Sequence, residues 1–301
     1  MNKIPYDASR TSLYKPGEAD DFFQFGIDLT DNANLCAEMS RLAYVKEESR
    51  LKNYLHRAGF ELVHTVGYQD TGTQLFIART KPNTTDTKLV VAFRGTEGDD
   101  WKDILADAFL FKKPWFDASG KSLGKVHSGF AKALLNDRCS GNILAKLETQ
   151  LDGLASEFSS ILLTGHSLGA ALATLTASYF NQAPISEKIH AYTFGSPRVG
   201  NCYFSKQINS IKHDRYVNCS DLVTCIPSEG LYFQHVGTQH YIDRYGVVQN
   251  SFSENDIATD RKQAVSEYSI AFSKLREDVW LRRFADHCPI NYLSGVAGIR
   301  V

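Results

Sequence analysis

Apolar residues along this 301-residue chain recur with two different periods. From about residue 31 to 45, and again over 141–157, they return every three or four positions, which predicts amphipathic helices. A short helix is also expected over 49–58. Elsewhere apolar residues form short runs that predict β-strands, at residues 60–66, 73–79, 88–93, 159–164, 190–194 and 215–219. Strands that alternate with helices predict an α/β fold with a mostly parallel sheet and helices on both faces.

The strand predicted at 159–164 continues into Gly-His-Ser-Leu-Gly at residues 165–169, and a helix is predicted over 168–180. A G-x-S-x-G motif between a strand and a helix is typical of the nucleophile elbow of α/β-hydrolases. In that setting the serine hydroxyl is exposed, rigidly held and close to a base, as a serine nucleophile must be. The motif therefore predicts that Ser167 is a nucleophile.

The residue types around Ser167 follow from the geometry of the elbow. A turn from strand to helix within one residue strains the serine backbone, and side chains at Gly165 and Gly169 would collide with neighbouring backbone. The turn also places Leu168 at a helix N-terminus, where its N–H is an unpaired donor that can bind a developing oxyanion. His166 is a tempting base, but a residue next to the serine at an elbow points away from the serine side chain, so we expect it to be structural.

Residues 158–186 contain no charged side chain, and a run of that length also suits a membrane-spanning helix. Polar residues and glycines interrupt the run repeatedly, among them Thr164, Asn181 and Gln182. A buried strand followed by a buried helix fits this mixture better than a membrane span does. We therefore expect no transmembrane anchor.

Hydrophobic residues make up 43% of the chain and charged residues 22%, which is typical of a globular protein. The formal net charge of −1 provides no electrostatic footprint for nucleic acid. The length suits a single α/β-hydrolase domain over residues 1–301, in which residues 1–59 form a helical or irregular extension packed on the core.

The start of the chain has no apolar core of signal-peptide length. We therefore expect a protein that is cytoplasmic, that is exported by a route without such a signal, or whose signal has been removed. The six cysteines form no C-x-x-C pair and match no zinc spacing, which predicts reduced and mostly buried thiols. No cofactor or metal ion is implied.

Four segments together resemble the class 3 lipases, the α/β-hydrolase family of the fungal triacylglycerol lipases. They lie in the order of the family, at residues 91–96, 126–130, 163–170 and 193–201. The resemblance implies an α/β-hydrolase fold and a serine carboxylester hydrolase, favouring a lipase that cleaves acylglycerols through an acyl-enzyme on Ser167. Its partner would be a lipid or small ester, met at a lipid–water interface. The alternatives are a phospholipase A1-type enzyme, an esterase for short or aromatic acyl groups, and a catalytically silent binding module.

In α/β-hydrolases the acid and then the histidine follow the nucleophile along the chain, so both are expected after Ser167. Asp221 comes directly after the strand at 215–219, and strand carboxyl ends gather active-site groups in such folds. Residues 219–223 also resemble the acid loop of the class 3 lipases. We therefore choose Asp221 as the acid. Four aspartates remain as rivals: Asp214, Asp243, Asp256 and Asp260.

Three histidines follow Asp221 along the chain, namely His235, His240 and His287. His287 comes after a long helical stretch near the end of the chain, where the family places its catalytic histidine, whereas His235 resembles a structural segment of the family. With His287 as the base, Ser167 attacks the ester carbonyl and His287 takes the serine proton. Asp221 orients the imidazole and stabilises its charged form.

The second oxyanion donor is expected from the loop after the strand at 88–93. Thr96 stands at the position that matches the family, so its N–H would join that of Leu168; the alternative is that residues 95–96 only end the strand. Beyond Thr96, apolar residues at helical spacing predict an amphipathic helix. In the fungal lipases a helix here is a lid over the acyl pocket; the alternative is a fixed helix packed on the core. The lid and pocket residues would be Trp101, Ile104, Leu105 and Phe109.

Overall fold

The computed structural model describes residues 15–67, 73–82, 86–96, 111–137, 141–272 and 282–298. The strands in these ranges are β1 (Phe60–Val66), β2 (Leu75–Thr80), β3 (Lys88–Phe93), β4 (Lys112–Phe116), β5 (Ser122–His127), β6 (Ser160–His166), β7 (Ile189–Phe194), β8 (Lys212–Asn218), β9 (Thr238–Ile242) and β10 (Val248–Gln249). The α-helices are α1 (Asn32–Leu42), α2 (Glu48–Arg57), α3 (Ser128–Leu135), α4 (Ile143–Leu154), α5 (Leu168–Tyr179), α6 (Cys202–Gln207), α7 (Glu254–Phe272), α8 (Arg282–Ala285) and α9 (Pro289–Val296).

Eight of these strands form one sheet in the order β1-β2-β3-β6-β7-β8-β9-β10. From β3 to β9 the neighbouring strands of the sheet are parallel, and the outer pairings are antiparallel. β4 and β5 form a separate antiparallel ribbon. Because the carboxyl ends of parallel strands meet at one edge, the loops after β3, β6 and β8 come together there. These loops carry Thr96, Ser167 and Asp221.

Side chains of the central strands alternate between two buried cores. Along β3, Leu89, Val91 and Phe93 pack in a core with α3, α4 and α5, whereas Val90 and Ala92 pack in a core with α1, α2 and α9. Both faces of the sheet are therefore covered, which explains why its central strands are continuously apolar. The predicted mostly parallel sheet with helices on both faces is confirmed in this arrangement.

The pattern of apolar residues did not predict β4, β5 or β9. β4 contains Lys112, Lys113 and Pro114, and β5 contains Gly124 at a φ of 106°. β9 has Gln239 on its exposed side. β4 and β5 contain residues that are depleted in strands, and β9 has only two apolar residues, so the pattern of apolar residues does not mark them as strands.

The helix predicted to cover the active site, with Trp101, Ile104, Leu105 and Phe109, lies outside the described residues. The uncharged run at 158–186 includes the buried β6 and the largely buried α5. None of the helices in the described ranges is long and apolar enough to cross a bilayer. The described cysteines are free thiols, of which Cys36, Cys219 and Cys288 are buried and Cys225 is exposed.

Candidate active site

The elbow between β6 and α5 consists of Ser167 alone, at φ 58° and ψ −125°. A positive φ is costly for a residue with a side chain, and it is maintained here by close backbone packing. A Cβ atom on Gly165 would lie 2.3 Å from the carbonyl carbon of Gly169, and one on Gly169 would lie 2.2 Å from the oxygen of Phe93. Both glycines are therefore required by the approach of β3 and α5 to the turn.

Ser167, His287 and Asp221 form a continuous hydrogen-bonded chain. The Oγ atom of Ser167 lies 2.9 Å from Nε2 of His287, and Nδ1 of His287 lies 2.9 Å from Oδ2 of Asp221. The structure thus brings together the three residues that the sequence singled out for nucleophile, base and acid. Ser167 is largely buried, with 2% of its surface exposed.

The carboxylate of Asp221 is fully buried and is surrounded by donors. Its Oδ1 accepts from the backbone N–H of Val223 over 2.8 Å, and its Oδ2 accepts from the hydroxyl of Tyr292 over 2.6 Å in addition to the bond with His287. A buried carboxylate stays ionised only if such bonds replace its lost hydration. Sequence reasoning missed Tyr292, because nothing in its local sequence indicates contact with a residue 71 positions earlier.

A second buried carboxylate ties the acid loop to the turn that carries the base. Asp286 is fully buried and accepts from Nε of Arg282 over 2.7 and 2.9 Å. Its Oδ2 also accepts from the backbone N–H of Ser220, the residue before Asp221, over 3.0 Å. The loop after β8 and the turn before α9 are therefore held as one unit.

The segments that carry the two predicted oxyanion donors both adjoin Ser167. Leu168 is the first residue of α5, so its N–H has no acceptor within the helix. Thr96 follows Gly95, where a Cβ atom would lie 3.2 Å from Cβ of Ser167 and 2.5 Å from the oxygen of His166. The loop after β3 therefore lies directly against the elbow. Leu168 and Thr96 are both partly exposed.

Asp214 and His240, two of the rival candidates, bond to one another away from Ser167. Asp214 accepts from Nε2 of His190 and Nε2 of His240, each over 2.6 Å. These two imidazoles hold the pKa of Asp214 well below its usual range. Asp214 lies towards the amino end of β8, whereas Ser167 lies at the carboxyl edge of the sheet, so this cluster does not join the chain at Ser167.

The other rivals have structural partners. Asp243 accepts from two backbone N–H groups of its own turn, Asp256 pairs with Ser253 at the start of α7, and Asp260 binds Arg244. His235 is bonded through Nε2 to the oxygen of Thr224 over 2.8 Å. Burial, with a smaller contribution from nearby arginines, lowers the pKa of His235 well below its usual value. Among the described residues, no group of three or more His, Cys, Asp or Glu side chains could hold a metal ion.

Residues 90–231 match the model of the class 3 lipases. The matched stretch includes Thr96, Ser167 and Asp221 and ends before His287. This stretch of the chain is similar to the class 3 lipase family. The resemblance that the four sequence segments indicated is thereby confirmed.

Relatives of two kinds match the chain. The triacylglycerol lipase OBL1 of Nicotiana tabacum is 26% identical over 83% of this chain and 59% of its own length. Phospholipase A1-II 1 of Oryza sativa subsp. indica is 38% identical over 52% of this chain and 43% of its own length. The chain thus spans less than two thirds of each of these relatives.

The solved structures that match include lipases of two Rhizopus species. The lipase of Rhizopus microsporus var. chinensis superposes with a TM-score of 0.56 and 23% identity, over 80% of this chain and 82% of its own. Lipase II of Rhizopus niveus gives a TM-score of 0.54 at 22% identity, over 71% and 78% of the two chains. The chain therefore has the α/β-hydrolase fold that its sequence predicts.

Proposed function

We propose that this protein is a serine carboxylester hydrolase that works through an acyl-enzyme on Ser167. The observation that carries the proposal is the chain of hydrogen bonds from Ser167 Oγ through His287 to Asp221, with both links at 2.9 Å. A serine hydroxyl gains nucleophilicity when a base accepts its proton and a third group orients that base. The described part of the chain provides each of these groups at hydrogen-bond distance.

In the acylation step, Oγ of Ser167 attacks the ester carbonyl carbon while Nε2 of His287 takes the hydroxyl proton. The carbonyl oxygen becomes an oxyanion, which the N–H groups of Leu168 and Thr96 would stabilise. When the tetrahedral intermediate collapses, Nε2 returns its proton to the leaving alcohol and the acyl group stays on Ser167. Asp221 remains ionised and stabilises the imidazolium through Nδ1–H.

Deacylation repeats these steps with water in place of Ser167. Nε2 of His287 takes a proton from the water as its oxygen attacks the acyl-enzyme carbonyl. The second tetrahedral intermediate then releases the carboxylic acid, and the proton on Nε2 returns to Oγ of Ser167. Each oxyanion donor would contribute about 3 kcal/mol of transition-state stabilisation.

For the substrate we favour acylglycerols over phospholipids. The relative named a triacylglycerol lipase matches over 83% of this chain, whereas the relative named a phospholipase A1 matches over 52%. Phospholipids are the second candidate, because identity to the phospholipase reaches 38% across the stretch it does match. A silent binding module is disfavoured, since such a protein has no need for an assembled triad.

The test compares the wild type with Ser167→Ala on nitrophenyl esters of increasing chain length, emulsified triacylglycerol and phosphatidylcholine vesicles. We expect wild-type hydrolysis that rises with chain length, is highest on triacylglycerol, and falls by about four orders of magnitude or more in the variant. A fluorophosphonate probe should label Ser167 in the wild type alone. Folded wild-type protein that hydrolyses no ester and takes no label would overturn the proposal. Faster hydrolysis of phosphatidylcholine would select the phospholipase.

A further inference from the structure

The turn between α8 and α9, which carries His287, is held in place by hydrogen bonds that its backbone carbonyls accept. Three consecutive carbonyl oxygens of this turn each accept a hydrogen bond from a side-chain N–H that lies outside the turn. The donors are Nδ2 of Asn291 to Ala285 at 2.7 Å, Nδ2 of Asn218 to Asp286 at 2.9 Å, and Nε2 of His166 to His287 at 2.5 Å. The last of these donors is the residue directly before the nucleophile.

The bond to the carbonyl of His287 determines which nitrogen of His166 carries the proton. A carbonyl oxygen only accepts, so Nε2 of His166 must be protonated. Burial, reinforced by the nearby imidazole of His287, lowers the pKa of His166 well below its usual value, so the ring is neutral. Nδ1 is then an acceptor, and the hydroxyl of Tyr44, 2.8 Å away, donates to it. The chain of donors runs from Tyr44 through His166 to His287.

We propose that Tyr44 and His166 are positioning residues for the base: Tyr44 selects the tautomer of His166, and His166 holds the main chain of His287 while Ser167 engages its side chain. The inference deepens the proposed hydrolase function and rests on it. Two adjacent residues, His166 and Ser167, thereby hydrogen-bond to His287, the first at its backbone carbonyl and the second at its side chain. The His166 and His287 rings also lie 4.5 Å apart between centroids, which restricts tilting of the base.

Two contacts to His287 fix the position of its imidazole relative to Ser167 more precisely than one contact would. A base must keep its nitrogen within hydrogen-bond reach of the serine, and a displacement of about 1 Å can cost about 100-fold in rate. The bond from Ser167 to Nε2 changes as the proton moves, so it cannot by itself fix the imidazole through the reaction. The bond from His166 goes to a carbonyl that takes no part in the chemistry. It therefore persists in every step.

Two substitutions of His166 separate positioning from simple packing. In His166→Gln the amide nitrogen takes the place of Nε2 and can still donate to His287, whereas the shorter amide in His166→Asn cannot reach it. We expect His166→Asn to lower kcat by about 10- to 100-fold with KM within about threefold, and His166→Gln to restore most of kcat. A packing role would instead predict equal losses in both variants, in step with their melting temperatures.

Tyr44→Phe tests the tautomer directly. Without the hydroxyl, the proton of His166 is free to move to Nδ1, which turns the lone pair of Nε2 towards the carbonyl of His287. ¹⁵N NMR of histidine-labelled enzyme should show His166 with the proton on Nε2 in the wild type and a mixture of tautomers in Tyr44→Phe. The matched control is Tyr192→Phe, which removes a Tyr–His hydrogen bond of 3.2 Å to His190 away from the elbow. Its kcat should equal that of the wild type.

The outcomes distinguish the positioning role of Tyr44 and His166 from the proposed hydrolase function. A wild type that hydrolyses no ester would overturn the proposed hydrolase and, with it, any positioning role. An active wild type whose His166→Asn variant keeps full kcat, or whose His166 carries its proton on Nδ1, would overturn the inference and leave the hydrolase intact. Loss of kcat in His166→Asn, rescue in His166→Gln and a tautomer shift in Tyr44→Phe would together support it.

Discussion

The hydroxyl of Tyr292 lies closer to Asp221 than the imidazole of His287 does: 2.6 Å against 2.9 Å, both measured to Oδ2. The backbone N–H of Asn218 donates to the same hydroxyl over 3.0 Å, which directs its proton towards the carboxylate. Burial, and next the charge of Asp221, raise the pKa of Tyr292 well above its usual value, so it remains a donor. The acid is therefore oriented by a tyrosine as well as by its own loop.

Tyr292→Phe should lower kcat by about tenfold and leave KM within about twofold. A hydrogen bond to a charged group is worth about 1.5–3 kcal/mol, and without it Oδ2 of Asp221 can rotate away from His287. Steady-state kinetics on a soluble nitrophenyl ester would measure the effect. Tyr179→Phe, which removes a hydroxyl bond to Glu148 on the outer surface, is the control and should keep full activity. Equal kcat in both variants would refute an orienting role for Tyr292.

Paired substitutions should separate the acid and base from their rivals. Asp221→Asn and His287→Gln should each lower kcat by about 10⁴-fold, because each breaks the chain that activates Ser167. Asp214→Asn and His240→Gln remove a pair of comparable chemistry near the amino end of β8, and kcat should stay within about twofold of the wild type. Steady-state kinetics on a soluble nitrophenyl ester would measure kcat for all four variants. A large loss in either rival variant, at an unchanged melting temperature, would reopen the assignment.

Gly169→Ala should destabilise the protein by about 3 kcal/mol or prevent folding. The added Cβ would lie 2.2 Å from the oxygen of Phe93, and backbone on both sides leaves little room to relax. Gly153, near the end of α4, has nothing within 4 Å of a built Cβ, so Gly153→Ala should stabilise by about 0.5 kcal/mol. Urea denaturation compares the two free energies of unfolding. A mild effect of Gly169→Ala would show that β3 and α5 approach less closely than described.

Stability should fall as the pH drops below about 6.5, with His213 as one cause. Burial, with Arg215 nearby, lowers the pKa of His213 to about 3, so the folded protein keeps it neutral while the unfolded chain takes up a proton below pH 6.5. The stabilisation by this residue is complete above pH 6.5 and is lost towards pH 3, at about 1.4 kcal/mol per pH unit.

The measurement is the free energy of unfolding at several values between pH 4.5 and 7.5, for wild type and His213→Gln. Glutamine can keep a hydrogen bond to Thr193, whose hydroxyl lies 2.8 Å from Nε2 of His213 in the wild type. The difference between the two proteins should change steadily with pH below 6.5. A difference that does not change with pH would mean that the pKa of His213 is the same in the folded and unfolded proteins.

The sequence predicted those parts of the fold and site whose signals are local. Residues 89–93 are apolar throughout because both faces of the sheet are covered, and the prediction of β3 matches the structure at both ends. The sequence signal for the elbow is equally local, because the strained Ser167 and its two flanking glycines lie within five residues. Signals of this kind need no knowledge of distant neighbours.

The remaining parts depend on contacts that no local pattern encodes. Five aspartates and three histidines could have completed the site, and the topology of the sheet decides which of them face Ser167. Tyr44 and Tyr292 were missed for the same reason: they meet His166 and Asp221 across 122 and 71 positions. β4 and β9 were missed because their polar residues carry no strand signal without their partners.

The 120 positions between Ser167 and His287 have a consequence for biosynthesis. Chains emerge with the N-terminal part first, at roughly 5–20 residues per second, so the nucleophile is made about 6–24 seconds before its base. During that interval the elbow has a hydroxyl with no proton acceptor beside it. In a nascent chain, or one released early by a stop codon upstream of position 287, Ser167 therefore lacks the base that the proposed ester hydrolysis needs, however much of the sheet has already formed.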